Sequence, residues 1–169
     1  MASELTVQTL RGPTSGANAD TVLIPSGQTL HAPGHVIQTV YDQFSTTYST
    51  STDSMTSFRT LYITPKFATS KILVMANFFV RVTSSAGYGF ADFDAYRGST
   101  LIWNGYPSMG STDGGNDTRG SVYFQRIDEP NTSSSISYDF QFSAAYTDQT
   151  VYVNSTTNPS SIVLQEIAQ

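Results

Sequence analysis

Two histidines stand four residues apart, His31 and His35, in the stretch TVLIPSGQTLHAPGHVIQTV. On a helix that spacing would stack two imidazoles on one face, as a zinc site requires. The residues between them exclude the helix. Pro33 and Gly34 interrupt it, and a proline disfavours helical backbone at the preceding Ala32. A local third ligand is missing too, since the nearest carboxylates are Asp20 and Asp42. The histidines read as turn or surface residues, with a metal held on a threefold axis, one imidazole per chain, as the alternative. Cysteine is absent, so thiolate sites and disulfide frameworks are excluded.

The segment FADFDAY sets Asp92 and Asp94 on one face of a strand, about 7 Å apart. Paired carboxylates can hold Ca2+ or cleave a glycosidic bond. The simpler expectation is that Ala91, Phe93 and Ala95 face a core while the aspartates face water. The loop STDGGND carries Asp113 and Asp117 without the regular acidic spacing of a calcium loop. Neither a G-x-S-x-G elbow nor a phosphate-cradling glycine loop occurs. The expectation is a protein that is not an enzyme, with no cofactor and no resident metal. A better prospect is contact with a sugar surface through Trp103, Asn104 and Tyr106 in LIWNGYPSMG, since aromatic rings stack on sugars and amides bind hydroxyls. Against it stands core or subunit packing of Trp103.

These residues need elements to position them, and nearly every periodic segment has period two. In SISYDFQFSA, Ile136, Tyr138, Phe140, Phe142 and Ala144 share one face of a strand. SKILVMANFFVRV (residues 70–82) is almost continuously apolar and reads as a long central strand, given its β-branched and aromatic residues. Turn signals lie at 96–100, 108–117, 128–135 and 155–161. Eight to ten short strands without a capped helical stripe predict an all-β, jelly-roll-like sandwich over residues 34–169. Residues 1–33 differ. They hold two strand-like pieces, near Leu5–Leu10 and Thr21–Ile24, broken by Gly-Pro and Ser-Gly. Val22, Leu23, Ile24 and Leu30, ending at Pro33, are too apolar for an idle tail and predict an arm that docks on another chain.

Only 12% of the residues are charged, and the net charge is −5. Six scattered arginines and two lysines do not make the basic patch that nucleic acid needs. No apolar run approaches a transmembrane helix, and the N-terminus is not that of a secretory signal. The expected protein is soluble, with an exterior of Ser and Thr in place of charge.

The arm motif IPSGQTL with APG, the run LYITPKFATSKILVMANFFV, the turn in AYRGSTLIWNG and the closing SSIVLQEIA together resemble small structural proteins of tailed bacteriophages, especially cyanophages. The resemblance spans nearly the whole chain and implies a homotrimeric jelly roll similar to the tumour-necrosis-factor-like fold. It implies an aromatic face on the threefold axis, which Tyr138, Phe140 and Phe142, or Phe78 and Val80, would supply. It further implies a component of the virion exterior, joined by its arm to tail or capsid proteins, with a host cell-surface glycan as a further partner. A tail-fibre role and a capsid-decoration role both fit that family.

Overall fold

The computed structural model describes residues 12–17, 21–85, 88–105, 108–111, 117–154 and 158–169, with backbone alone at 88 and 108–111. The chain divides into two units, Met1–His31 and Ala32–Gln169. Among the described residues there is no helix, and so none long and apolar enough to cross a membrane.

The second unit contains eleven strands among the described residues: β1 (Val36–Phe44), β2 (Tyr48–Thr50), β3 (Thr56–Ile63), β4 (Lys71–Ser84), β5 (Tyr88–Arg97), β6 (Thr100–Gly105), β7 (Ser108–Ser111), β8 (Asp117–Asp128), β9 (Ile136–Ala144), β10 (Gln149–Val153) and β11 (Ser160–Ile167). They form two antiparallel sheets. The fourteen residues of β4 organise the first sheet. Its first half pairs with β11 and its second half with β10, while β8 runs along its other edge. With the short β2, β7 and β10 set aside, the long strands run β1-β11-β4-β8 in one sheet and β3-β9-β5-β6 in the other. Each sheet interleaves strands from the beginning and end of the unit, which is the double Greek-key winding of a jelly roll. The expected all-β sandwich is present.

Alternation decides what fills it. In β4 every second residue from Ile72 to Val82 is buried. Opposite lie Ala91, Phe93 and Ala95 of β5, which face the core as expected, and the aromatic face of β9. Phe58 centres the packing, with its ring 5.0 Å from Phe78 and 5.2 Å from Phe142. Such edge-to-face contacts add to the burial of large rings.

That packing corrects the proposed threefold interface. Tyr138, Phe140 and Phe142 are 0–1% exposed, as are Phe78 and Val80. Phe140 packs on Phe78 across the sandwich at 5.5 Å. Both faces named for the axis are spent within one chain, since the two sheets need them to exclude water.

In the first unit, Thr21–Ile24 is not a strand and forms no ladder. Pro25 to Gln28 make a turn closed by Gln28 N–H donating to Pro25 C=O at 3.0 Å, with Gly27 at φ 85°. That left-handed position explains the glycine of the IPSGQTL motif. The piece near Leu5–Leu10 lies outside the described residues. In the second unit, Gly34 adopts φ 80° and its N–H donates to Ala168 C=O, while Ala168 N–H donates to His35 C=O. The Pro33–Gly34 corner is thereby fastened to the C-terminal strand.

Candidate assembly surface

The histidines are both exposed, and no group of three metal-binding side chains exists among the described residues. The aspartates are on the outer face of the five-stranded sheet, as expected, yet Asp94 is only 6% exposed. It accepts hydrogen bonds from Asn104 Nδ2 at 2.7 Å and from the Tyr96 hydroxyl at 3.1 Å, one on each oxygen. Burial, then the neighbouring charge of Asp94, pushes the Asp92 carboxyl above the usual carboxylate range. Further along that face Asp139 accepts from Ser57, Thr60 and Gln141. Asp94 and Asp139 are thus tied into hydrogen-bonded clusters with their neighbours on this face.

The proposed sugar contact is likewise not assembled as a free surface. The Trp103 indole packs on Phe124 with centroids 4.8 Å apart, which is the core-packing alternative. Gly105 lies flat against it, where a Cβ would come within 2.2 Å of the ring. Asn104 spends its amide on Asp94. Tyr106 and Asp113 lie outside the described residues.

What stands open is the outer face of the six-stranded sheet. Residues directly opposite each other in a ladder share a face, so the registers define its rows. One row reads Tyr41, Val163, Met75, Gln125; the next Thr39, Gln165, Leu73, Ile127; the third Gln43, Ser161, Asn77, Tyr123. Phe79 extends the face beyond the third row. Tyr41, Tyr123 and Ile127 are 57%, 62% and 56% exposed, and Leu73, Met75, Phe79 and Val163 are half-buried. Across three strand spacings and some seven residues of β4 this covers about 300 Å².

Not one residue in those three rows is charged. The charges sit at the two ends, where carboxylates and bases meet in ion pairs. Asp117 bridges Arg81 at 2.9 Å and Arg119 at 3.0 Å beyond Phe79, while Lys71 pairs with Glu129 at 2.9 Å at the opposite end. Arg119 and then Arg81 hold the Asp117 carboxyl below its ordinary range. Six of the twelve residues in the rows are apolar or aromatic and the other six are uncharged Gln, Asn, Ser and Thr, so the face offers a charge-free contact surface with ion pairs at its ends.

Sequence reasoning reached β4 but not its second face. The signal was the unbroken apolar run, because a strand with one face in water alternates, whereas one covered on both faces does not. The arm residues Val22, Leu23, Ile24 and Leu30 are 44–61% exposed, and Pro33 is exposed as well.

No family model matches the chain, and no curated protein matches it. Among solved structures it is similar to dimeric latent PorU from Porphyromonas gingivalis (TM-score 0.42, 12% identity, 89% of this chain and 15% of that one). It is also similar to a chain of the infectious bursal disease virus Gx strain (TM-score 0.40, 8% identity, 94% and 46%) and to one of T=1 particles derived from infectious bursal virus (TM-score 0.41, 12% identity, 90% and 42%). The chain spans less than half the length of each. Identities this low and superpositions this loose assign it neither family nor role.

Proposed function

We propose that the chain is a non-enzymatic structural protein of a tailed-phage virion. It acts as a homotrimer, held to the particle by its N-terminal arm, with the sandwich displayed outward for attachment to the host surface. The observation that carries this reading is the charge-free apolar outer face of the six-stranded sheet. In a chain with so few charges, that face packs against neighbouring copies around a threefold axis, where its apolar area leaves water and no charge in its rows is stranded. The exposed apolar residues of the arm are a second surface, suited to a different virion protein. The particle itself is supplied by the sequence resemblance to small phage structural proteins. Neither nucleic acid nor a membrane enters this reading.

The second reading, capsid decoration, draws on the same two surfaces, with neighbouring shell subunits under the arm. Calibrated mass spectrometry of purified particles separates the two. A few copies per virion support the fibre, and tens to hundreds overturn it in favour of decoration. Sedimentation of the isolated protein tests the trimer, because a species of 18.3 kDa at micromolar concentration removes it. Deleting residues 1–33 is expected to leave a folded head that no longer joins the particle. Continued incorporation of the truncated chain would end the anchor role.

A further inference from the structure

At one end of the sandwich the β5–β6 turn and the β8–β9 connection line an open recess of about 390 Å³. That volume is within the range of small-ligand sites. Ser99, Ser135 and Ser137 line it together with Arg97, and Pro130 and Ile136 supply apolar surface. Among the described residues no hydrogen bond engages the hydroxyls of those three serines.

The walls are fixed from behind. Arg97 Nη1 donates to both oxygens of Asp128 at 3.2 Å, and the buried Tyr138 hydroxyl donates to the same carboxylate at 2.7 Å. Gly98, at φ 55°, donates its N–H to Ser137 C=O at 3.0 Å. Asn131 turns the connection at φ 52°, its amide on Glu129 C=O. Asp128 therefore neutralises Arg97 while orienting it, so the recess offers directed polar groups and no uncompensated charge.

We infer that this recess binds one neutral saccharide unit. A pyranose presents hydroxyls that both donate and accept, which matches serine hydroxyls, and Arg97 N–H groups not taken by Asp128 donate to a sugar oxygen. Its C–H face packs against Pro130 and Ile136. A carboxylated sugar gains little here, because the arginine already has its counter-ion. That the recess is a receptor site rests on the reading of the head as host-facing, whereas the binding itself does not.

The test is an NMR titration of the full 15N-labelled chain with methyl α-D-glucopyranoside, methyl β-D-galactopyranoside, N-acetylglucosamine and N-acetylneuraminic acid. At least one neutral probe is expected to bind in the millimolar range and to shift the amides of Gly98, Ser99, Ser135, Ile136 and Ser137. Ser135 is exposed, so Ser135→Leu is expected to fold as the parent does and to bind that probe about tenfold or more weakly. Binding of the acidic sugar alone, shifts confined to other loops, unaltered affinity in Ser135→Leu, or no shift with any probe would each overturn the assignment. Incorporation of Ser135→Leu into particles is read separately, so a failed recess leaves the virion role standing and the converse also holds.

Discussion

At the scale of single residues, Asn154 shows how a polar side chain holds an otherwise apolar sandwich. Its backbone takes φ 59°, unusual outside glycine. Its Nδ2 donates to Phe44 C=O at 3.0 Å and Thr46 C=O at 3.2 Å, and its Oδ1 accepts from the Ser160 hydroxyl. Ser160 Oγ in turn accepts from Phe79 N–H at 3.1 Å. Three strands and a loop thus share one buried amide. Asn154→Ala strands those partners and places a Cβ-bearing residue without polar compensation in the left-handed region, so it should cost about 2–4 kcal/mol. Asn154→Gly restores the backbone freedom and should cost about 1 kcal/mol less than the alanine. Urea denaturation checks both, and equal losses would show that the backbone conformation is not part of the cost. Asp92 behaves in the opposite sense. Its folded pKa is raised, so the folded state holds the proton more tightly than the unfolded chain. Stability from this group is complete below the unfolded carboxylate range and is lost as pH rises through the raised value. Asp92→Asn is therefore expected to raise the melting temperature at pH 7 and leave it unchanged in acid below that range. A loss at pH 7 would refute the assignment of burial and Asp94 as the cause.

At the scale of elements, Glu166 of β11 joins two segments a hundred residues apart. Fully buried, its carboxylate accepts from Lys66 N–H at 2.7 Å, Phe67 N–H at 3.2 Å and Gln38 Nε2 at 2.6 Å. The ITPKFATS connection between β3 and β4 is folded around that carboxylate. Glu166→Ala leaves these donors dry and unpaired, at a cost of about 2–4 kcal/mol. The amides of Lys66 and Phe67 should then exchange with solvent faster, ahead of those in β4. Unchanged exchange there would mean that the connection is held by other contacts. The motif ITPKFATS and the closing SSIVLQEIA were both visible in the sequence as separate signatures. Their contact was not, because nothing local joins residues 66 and 166. The strands themselves were legible, since period two survives in β9 and a Pro–Gly corner announces itself before β1. What covers an apolar face, the opposite sheet or another copy, was not legible. Alternation groups Tyr138, Phe140 and Phe142 on one side but reads the same whether that side is buried within the chain or between copies. Only the register of β4, β8, β11 and β1 reveals that the face left open carries Tyr41, Met75, Val163 and Ile127. The Asp94–Asn104 bond was hidden in the same way, because it depends on the pairing of β5 with β6.

At the scale of the whole molecule, the jelly-roll unit has two outer faces of opposite character. The five-stranded sheet presents Asp92 together with Asp94, Asp139 and the hydrogen-bonded partners of these two, while the six-stranded sheet presents three rows without a charge. Self-association through the second face makes a prediction that the first face controls. Ile127→Glu puts a carboxylate at a position that is 56% exposed in the single chain, where water solvates it and the fold keeps its stability within about 0.5 kcal/mol. Once copies meet there, the same carboxylate loses its water without gaining a partner, because no positive charge lies in the three rows. Stranding a charge in this way costs about 3–5 kcal/mol per site, enough to weaken association more than about a hundredfold. Tyr62, 65% exposed on the other sheet, is the matched control. Sedimentation velocity at one concentration should find the native chain and Tyr62→Glu as the same oligomer and Ile127→Glu as a species of 18.3 kDa, with equal melting temperatures for Ile127→Glu at high dilution and the diluted native chain. If Tyr62→Glu dissociates the assembly and Ile127→Glu does not, the copies meet through the polar sheet. The apolar face must then be covered by another protein.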